Sequence, residues 1–301
     1  MQIIIIGKTG QVANALINNK PKGVGLTICG REEIDLSLDE SMENFCKNCS
    51  KILKGSKKNV IINAAAYTNV AKAEEEEGLA MQVNAYAQAR LARFAADNDI
   101  LYVSYSTDYI FDGEKLGSYH EDDEPNPLNI YGKSKLAGEK MIHATNANYL
   151  ILRTSWVFSD IGSNFVKKIY EMLHLKDTIN VIDDQFGTPT SSKFISEKTY
   201  ELINIVQNLP RINEIINIAQ YPYVSWYEFA YKIKEILHLT TKVNKISSHE
   251  YGANVIRPKN SVLSTQKLEN FTGQNTRIWA IDLEEVLNSL ARQKELNKQS
   301  K

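Results

Sequence analysis

The chain has few cysteines, almost no net charge and no long apolar run, and each shortage excludes a class of protein. Three cysteines in 301 residues, Cys29, Cys46 and Cys49, are too few and odd in number for a disulfide framework. Cys46-Lys-Asn-Cys49 has the Cys-x-x-Cys spacing, but it has no second pair and no nearby histidine and falls in a helix-like segment, so metal or redox chemistry is not expected there. The histidines (His120, His143, His174, His238, His249) are scattered without ligand spacing, and no metal is expected. A net charge of −1 gives no general attraction to nucleic acid or to an anionic membrane, so neither is expected as a partner. No apolar run approaches membrane-spanning length and the chain opens directly on a strand-like segment, which leads us to expect a cytoplasmic protein.

What is present is an alternation of strand-like and helix-like segments. Residues 2–6 are a run of branched aliphatics suited to a strand buried on both faces. The run ends in Gly7-Lys-Thr-Gly10-Gln11-Val12-Ala13, followed by a helical pattern to about Asn19. In this order Gly7 permits the tight turn, Gly10 lets backbone approach a pyrophosphate, Ala13 allows close packing, and the helix amino terminus attracts phosphate. A second short strand over 25–29 leads to Gly30-Arg31, where an arginine rather than an acid tilts a dinucleotide site toward a 2′-phosphate. A helix from about Leu38 to Leu53, a strand over 59–63 ending in Ala64-Ala65-Ala66-Tyr67-Thr68, and a helix over 79–98 follow. The acidic run 74–77 reads as a solvated first helical turn. Four such repeats imply βαβ units and a doubly wound parallel sheet of Rossmann type. The length favours a dinucleotide-binding domain over 1–155, with about 190–220 returning to it, and a smaller, mainly substrate-binding domain over 156–301 whose last residues from Arg292 are polar and expected to fray.

Residues 104–140 carry the chemistry. An apolar run over 100–104 places Ser106 and Thr107 at a strand's carboxyl end, where ligand crevices of such sheets lie. After Pro125 and Pro127 the pattern turns helical, and Tyr131 and Lys135, four apart, share one helix face. A bare Tyr-x-x-x-Lys is commonly a surface pair. As chemistry, the phenol needs about 4 kcal/mol of help to act as an acid at neutral pH, which an ammonium about 4 Å away supplies only in a dry cleft. Thr107 would orient the reacting oxygen.

These motifs occur in the order seen in extended short-chain dehydrogenase/reductases. Asn63-Ala-Ala-Ala-Tyr-Thr-Asn-Val-Ala-Lys-Ala-Glu74, Ser106-Thr-Asp-Tyr-Ile-Phe-Asp-Gly113, Pro127-Leu-Asn-Ile-Tyr-Gly-Lys-Ser-Lys-Leu-Ala-Gly-Glu139, Leu152-Arg-Thr-Ser-Trp-Val157, Asp183-Asp-Gln-Phe-Gly-Thr-Pro-Thr190 and Ser225-Trp-Tyr-Glu-Phe-Ala230 resemble the dTDP-4-dehydrorhamnose reductase family over nearly the whole chain. The resemblance implies reduction of the C4 ketone of dTDP-4-dehydro-L-rhamnose to dTDP-L-rhamnose by NADPH, with NADH as the alternative. It makes Tyr131 the proton donor, Lys135 the group that lowers its pKa and holds the nicotinamide ribose, and Thr107 the orienting hydroxyl. Cofactor contacts carry over to Gly7, Gly10, Gln11, Val12, Arg31, Asp35, Leu36, Ala65, Ala66, Tyr67 and Thr68. Thr107, Asp108 and Trp156 would line the sugar pocket, with Asn164, Lys168 and Arg257 as candidates for the diphosphate. A homodimer is compatible with it. Two departures stand out: Ala71 replaces an aspartate common in the family, and the acids through which some members pair subunits around Mg²⁺ are missing from residues 14–20 and 191–193. Two competing readings are an epimerase or dehydratase on the same fold and a non-catalytic NADP-binding regulatory subunit, of the kind that partners methionine adenosyltransferase. Asp108-Tyr109 in place of Asp-Glu argues against dehydration, and intact Thr107, Tyr131 and Lys135 argue against the regulatory role.

Overall fold

The computed structural model describes residues 1–52 and 58–299. Its centre is a sheet of six strands, β1 (Gln2–Ile6), β2 (Gly25–Cys29), β3 (Asn59–Asn63), β4 (Leu101–Thr107), β5 (Asn148–Thr154) and an edge strand Asn213–Ile218. In space β1 lies between β2 and β3, then come β4, β5 and the edge strand, every pair parallel. The chain therefore winds outward in both directions from β1 and β3, which places the topological switch, and the ligand crevice, at their carboxyl ends. This is the doubly wound α/β class expected from the alternation.

Side-chain alternation along β1 explains the two cores. Ile4 and Ile6 join the cluster under α2 (Asp39–Ile52) and α5 (Ala87–Asp97), while Ile3 and Ile5 join the opposite cluster with α1 (Gln11–Asn18) and α8 (Ser192–Val206). The Tyr200 hydroxyl of α8 donates to the Leu16 carbonyl at 2.6 Å, locking that layer. A third apolar cluster, around α7 (Phe165–Leu175), α9 (Trp226–Ile236) and the helix Trp279–Gln299, is a core of its own beside the sheet.

Some expectations are corrected. Among the described residues the last helix continues past Arg292 to Gln299, with Gln293 donating to Asp160 and the Lys294 ammonium over the Tyr170 ring. The single helix expected over 79–98 is broken into α4 (Glu77–Met81), a π-helical turn Gln82–Tyr86 and α5. The expected end of α2 at Leu53 lies outside the described residues. The acidic run 74–77 is exposed but not merely solvated, since Glu74 accepts the Ile130 N–H at 2.8 Å and Glu76 accepts the Tyr67 hydroxyl at 2.7 Å. Where Ala71 departs from the family, the short helix α3 (Val70–Ala73) is capped instead by the Asn69 side chain, which accepts the Lys72 N–H.

Helix α6 (Ile130–His143) carries Tyr131 and Lys135. Asn129 caps it by accepting the Gly132 N–H at 2.8 Å. Two glycines inside it let it sit unusually close to its neighbours: a Cβ on Gly132 would lie 2.2 Å from the Tyr109 carbonyl oxygen, and one on Gly138 2.1 Å from that of Asn84. Glu139 then joins α6 to β5 through a buried two-pronged ion pair with Arg153, at 3.0 and 2.7 Å. Removing one partner strands a charge in the core. Glu139→Ala should therefore cost about 3 kcal/mol or more in urea unfolding, while the double change Glu139→Leu with Arg153→Met should recover most of that loss.

Candidate active site

One large cavity of about 1190 Å³ opens across the carboxyl ends of β1, β3, β4 and β5. That exceeds the size usual for one small ligand, so a dinucleotide and a second molecule can share it. Gly7, at φ +111°, sits where a Cβ would press on the backbone of Ala64 and Ala65 at 3.3 Å. Gly10 is the N-cap of α1 and provides no side chain, so the first N–H groups of that helix face the cavity uncapped. These features fit a pyrophosphate. At the cavity's far end Asp35 accepts from Arg31 Nε at 2.9 Å and from the Ser37 N–H and hydroxyl, leaving the outer guanidinium nitrogens of the exposed Arg31 turned to solvent. A cation held in this way beside the ribose position suits a 2′-phosphate.

Between these ends the walls are backbone-rich. Ala64, Ala65, Ala66, Tyr67 and Thr68 line the cavity, and the loop is held by a residue the sequence reading missed. Asn84, in the π-helical turn, accepts the Tyr67 N–H and donates to the Tyr67 carbonyl, both at 2.9 Å, and also donates to Ser134 of α6 at 3.0 Å. A polar residue one turn into an apolar helix face was the available signal.

Thr107 ends β4, and Tyr131 and Lys135 enter from α6, so the three candidates meet on the cavity floor. Burial pushes the Tyr131 phenol up to about 12, the Thr107 hydroxyl pulls it back by hydrogen bonding, and the Asp108 carboxyl raises it. The Lys135 ammonium donates to the Tyr105 carbonyl at 2.6 Å, and it is not among the groups that shift the phenol. Burial lowers that ammonium to about 8, with Glu139 one turn away working the other way. Asp108, 3% exposed, accepts from the Thr107 hydroxyl at 3.0 Å, and burial raises its carboxyl to about 7.

One side of the cavity is walled by aromatics. Trp156 lies flat on Trp226, ring centroids 3.4 Å apart, and Phe165 leans on Trp226 at 4.5 Å. Only glycine fits at 187, since a Cβ there would sit 2.4 Å from the Trp156 ring. Trp226 and Phe165 line the same cavity and had no role in the sequence reading. Of the three diphosphate candidates, Asn164 lines the cavity, but its amide is spent on Gln11, Ser159 and Ile161 and its carbonyl on the Lys167 N–H. Lys168 is exposed on α7 and Arg257 stands behind Tyr109, and neither lines the cavity. Gly7, Gly10, Gln11, Val12, Arg31, Asp35, Leu36, Thr107, Asp108, Tyr131, Lys135 and Trp156 all do.

The comparisons agree with this geometry. Residues 1–292 match a family model described as RmlD substrate binding domain. A dTDP-4-dehydrorhamnose reductase of Sinorhizobium fredii is 35% identical over 299 residues, covering 94% of this chain and 99% of that protein. Among solved structures, a dTDP-4-dehydrorhamnose reductase from Clostridium acetobutylicum superposes with a TM-score of 0.87 at 33% identity, covering 97% of this chain and 100% of that one. A Bacillus anthracis dTDP-4-dehydrorhamnose reductase, in complex with NADP, gives the same TM-score at 29% identity, covering 96% of this chain and 99% of that one. The chain belongs to the dTDP-4-dehydrorhamnose reductase family.

Proposed function

We propose that this protein reduces the C4 ketone of dTDP-4-dehydro-L-rhamnose to dTDP-L-rhamnose with NADPH. The observation that carries the reading is the meeting of Tyr131, Thr107 and Lys135 on the floor of a cavity roomy enough for cofactor and sugar nucleotide together. Residues 1–155, with the segment around 190–220, would hold the dinucleotide: Gly7, Gly10, Gln11 and Val12 at the pyrophosphate, Arg31 at the 2′-phosphate with Asp35 holding it, Leu36, Ala65, Ala66, Tyr67 and Thr68 along the wall. Residues from 156 onward would supply the aromatic side of the sugar pocket through Trp156. Arg257, whose charge acts on Tyr109, lies outside the cavity lining and would have to turn past that ring to meet the diphosphate. An enzyme fed by NADPH would work in the cytoplasm.

NADPH, when bound, supplies the hydride. The protein's task is to hold the ketone and deliver a proton to its oxygen. Tyr131, pushed up to about 12, keeps its proton throughout the neutral range, so it is ready as a donor without prior titration. The alkoxide forming at C4 is a far stronger base, with a conjugate acid near water's value of about 16, so the transfer runs downhill by roughly 4 units, about 5 kcal/mol. Thr107 orients both oxygens. Lys135 gives one of its three N–H groups to the Tyr105 carbonyl and would offer the others to the nicotinamide ribose.

Purified protein should oxidise NADPH, followed by its absorbance, when offered dTDP-4-dehydro-L-rhamnose, with slower turnover on uridine- or guanosine-linked analogues. Tyr131→Phe should lower kcat by 10²-fold or more while NADPH affinity stays within about twofold. An unaltered rate in that variant would remove Tyr131 as the donor. The ammonium of Lys135 is present below about pH 8 and lost above it, so KM for NADPH should rise several-fold between pH 7 and 9. In Lys135→Met the same plot should be flat.

A further inference from the structure

Tyr131 stands in the part of α6 least able to hold itself. It is the second residue of the helix, it follows a loop broken by Pro125 and Pro127, and Gly132 comes next. Helix ends fray, and glycine adds backbone freedom. The first N–H groups of a helix also have no carbonyl partner within it. In α6 the Asn129 side chain accepts the Gly132 N–H at 2.8 Å. The Ile130 N–H, directly before Tyr131, is taken from outside the helix, where Glu74 Oε1 accepts it at 2.8 Å. Glu74 is exposed, forms the C-cap of α3 and does not line the cavity.

The other contacts around Tyr131 do not depend on that bond. Its carbonyl accepts the Ser134 hydroxyl at 2.7 Å, and Ser134 accepts from Asn84. Its ring meets Tyr109 edge-on, with centroids 5.9 Å apart and planes at 78°. One turn further in, the Lys135 ammonium is on the Tyr105 carbonyl, and Glu139 is paired with Arg153. None of these contacts engages the Ile130 N–H. Glu74 therefore closes the turn just ahead of the phenol, and without it that turn can open while the body of α6 stays in place.

We propose that Glu74 is a positioning residue for the reduction, holding Tyr131 where its phenol reaches the ketone oxygen. It touches neither ligand nor the reacting atoms and acts through the backbone of Ile130. What it supplies is an acceptor, and a Gln in its place would keep a carbonyl oxygen at the same reach. Its charge adds a small favourable term at a helix amino terminus, which salt screens. The neighbouring acid Glu76 does not substitute, because it accepts from the Tyr67 hydroxyl at 2.7 Å and the Lys72 ammonium at 3.1 Å. A reacting group displaced by about 1 Å can slow a reaction as much as 10²-fold, so one exposed bond can govern rate while contributing little to global stability.

The positioning role rests on the reductase reading, and its test separates the two. In NADPH oxidation with dTDP-4-dehydro-L-rhamnose, Glu74→Ala should lower kcat about tenfold, with KM for NADPH within about twofold and the urea midpoint near that of the wild type. Glu74→Gln should bring kcat back to within about threefold of the wild type. In a Tyr131→Phe background, Glu74→Ala should change the residual rate by less than about twofold, because the phenol through which it acts is gone. A further tenfold fall in that background would make Glu74 a general structural residue and overturn the proposal. So would a Glu74→Ala protein that fails to fold, an unchanged kcat in that variant, or a Glu74→Gln protein as slow as Glu74→Ala. No NADPH oxidation by the wild type would overturn the reductase reading and the positioning role with it.

Discussion

The site depends on how closely one helix can approach the rest. Tyr131 reaches Thr107 only because α6 lies against the turn after β4 and against the π-helical turn at spacings no side chain tolerates, at Gly132 and Gly138. Each helical glycine costs about 1 kcal/mol in propensity, a cost that makes sense only if proximity is required. The buried pair Glu139–Arg153 then fixes α6 along its axis relative to β5, the strand paired with β4. Position across the contact is set by glycine and position along it by charge, so the phenol is held in both senses. Asn84 joins the same arrangement to the cofactor wall, because one amide bonds both Tyr67 and Ser134 of α6.

That rigidity also sets the site's electrical character. Tyr131 and Asp108 are raised by burial and Lys135 is lowered by it, so all three lean toward their neutral forms. The simple Coulomb argument from the Tyr-x-x-x-Lys spacing, a cation beside a phenol, is not what shifts this phenol: one N–H of the ammonium goes to the Tyr105 carbonyl, and the phenol is shifted by burial, the Thr107 hydroxyl and Asp108. For a reduction this is the useful arrangement. The acid must hold its proton until an alkoxide develops, and a phenol acidified to neutrality would lose it to solvent part of the time. Acidity is needed only relative to the alkoxide, and there the margin is ample.

Much of this was legible in the chain. Ile3 to Ile6 announced a doubly buried strand, Gly7 and Gly10 the tight turn at the cavity's edge, and Thr107, Tyr131 and Lys135 residues that share one cavity, because each depends on local spacing or on a residue type with few alternative uses. What stayed hidden were pairings across distance. Arg153 with Glu139, Asn84 with Tyr67, and Trp156 with Trp226 over Gly187 each join residues that local periodicity cannot relate. The π-helical turn was equally invisible, since Leu79 to Asn98 has good helix formers throughout. Asn164 and Lys168 erred in the other direction: polar residues in a suitable block proved to be a cap with every bond filled and a solvent-facing helix position.

Gln11 shows why residue type alone misleads about role. Its place in the glycine turn offers its backbone N–H to a pyrophosphate, while its side-chain amide reaches away from that turn. Its Oε1 accepts from the Ser159 hydroxyl at 2.8 Å and from Asn164 at 2.9 Å, and its Nε2 donates to the Val157 carbonyl at 3.4 Å. One side chain on α1 thus ties the phosphate turn to the segment that leads from β5 into the aromatic wall. Because Asn164 also caps α7, the tie extends to the helix that carries Phe165. The two halves of the cavity are therefore registered by hydrogen bonds between neutral amides and hydroxyls, each modest in strength but sharply directional. Such a join preorganises the floor for two ligands without adding a further charge beside the phenol.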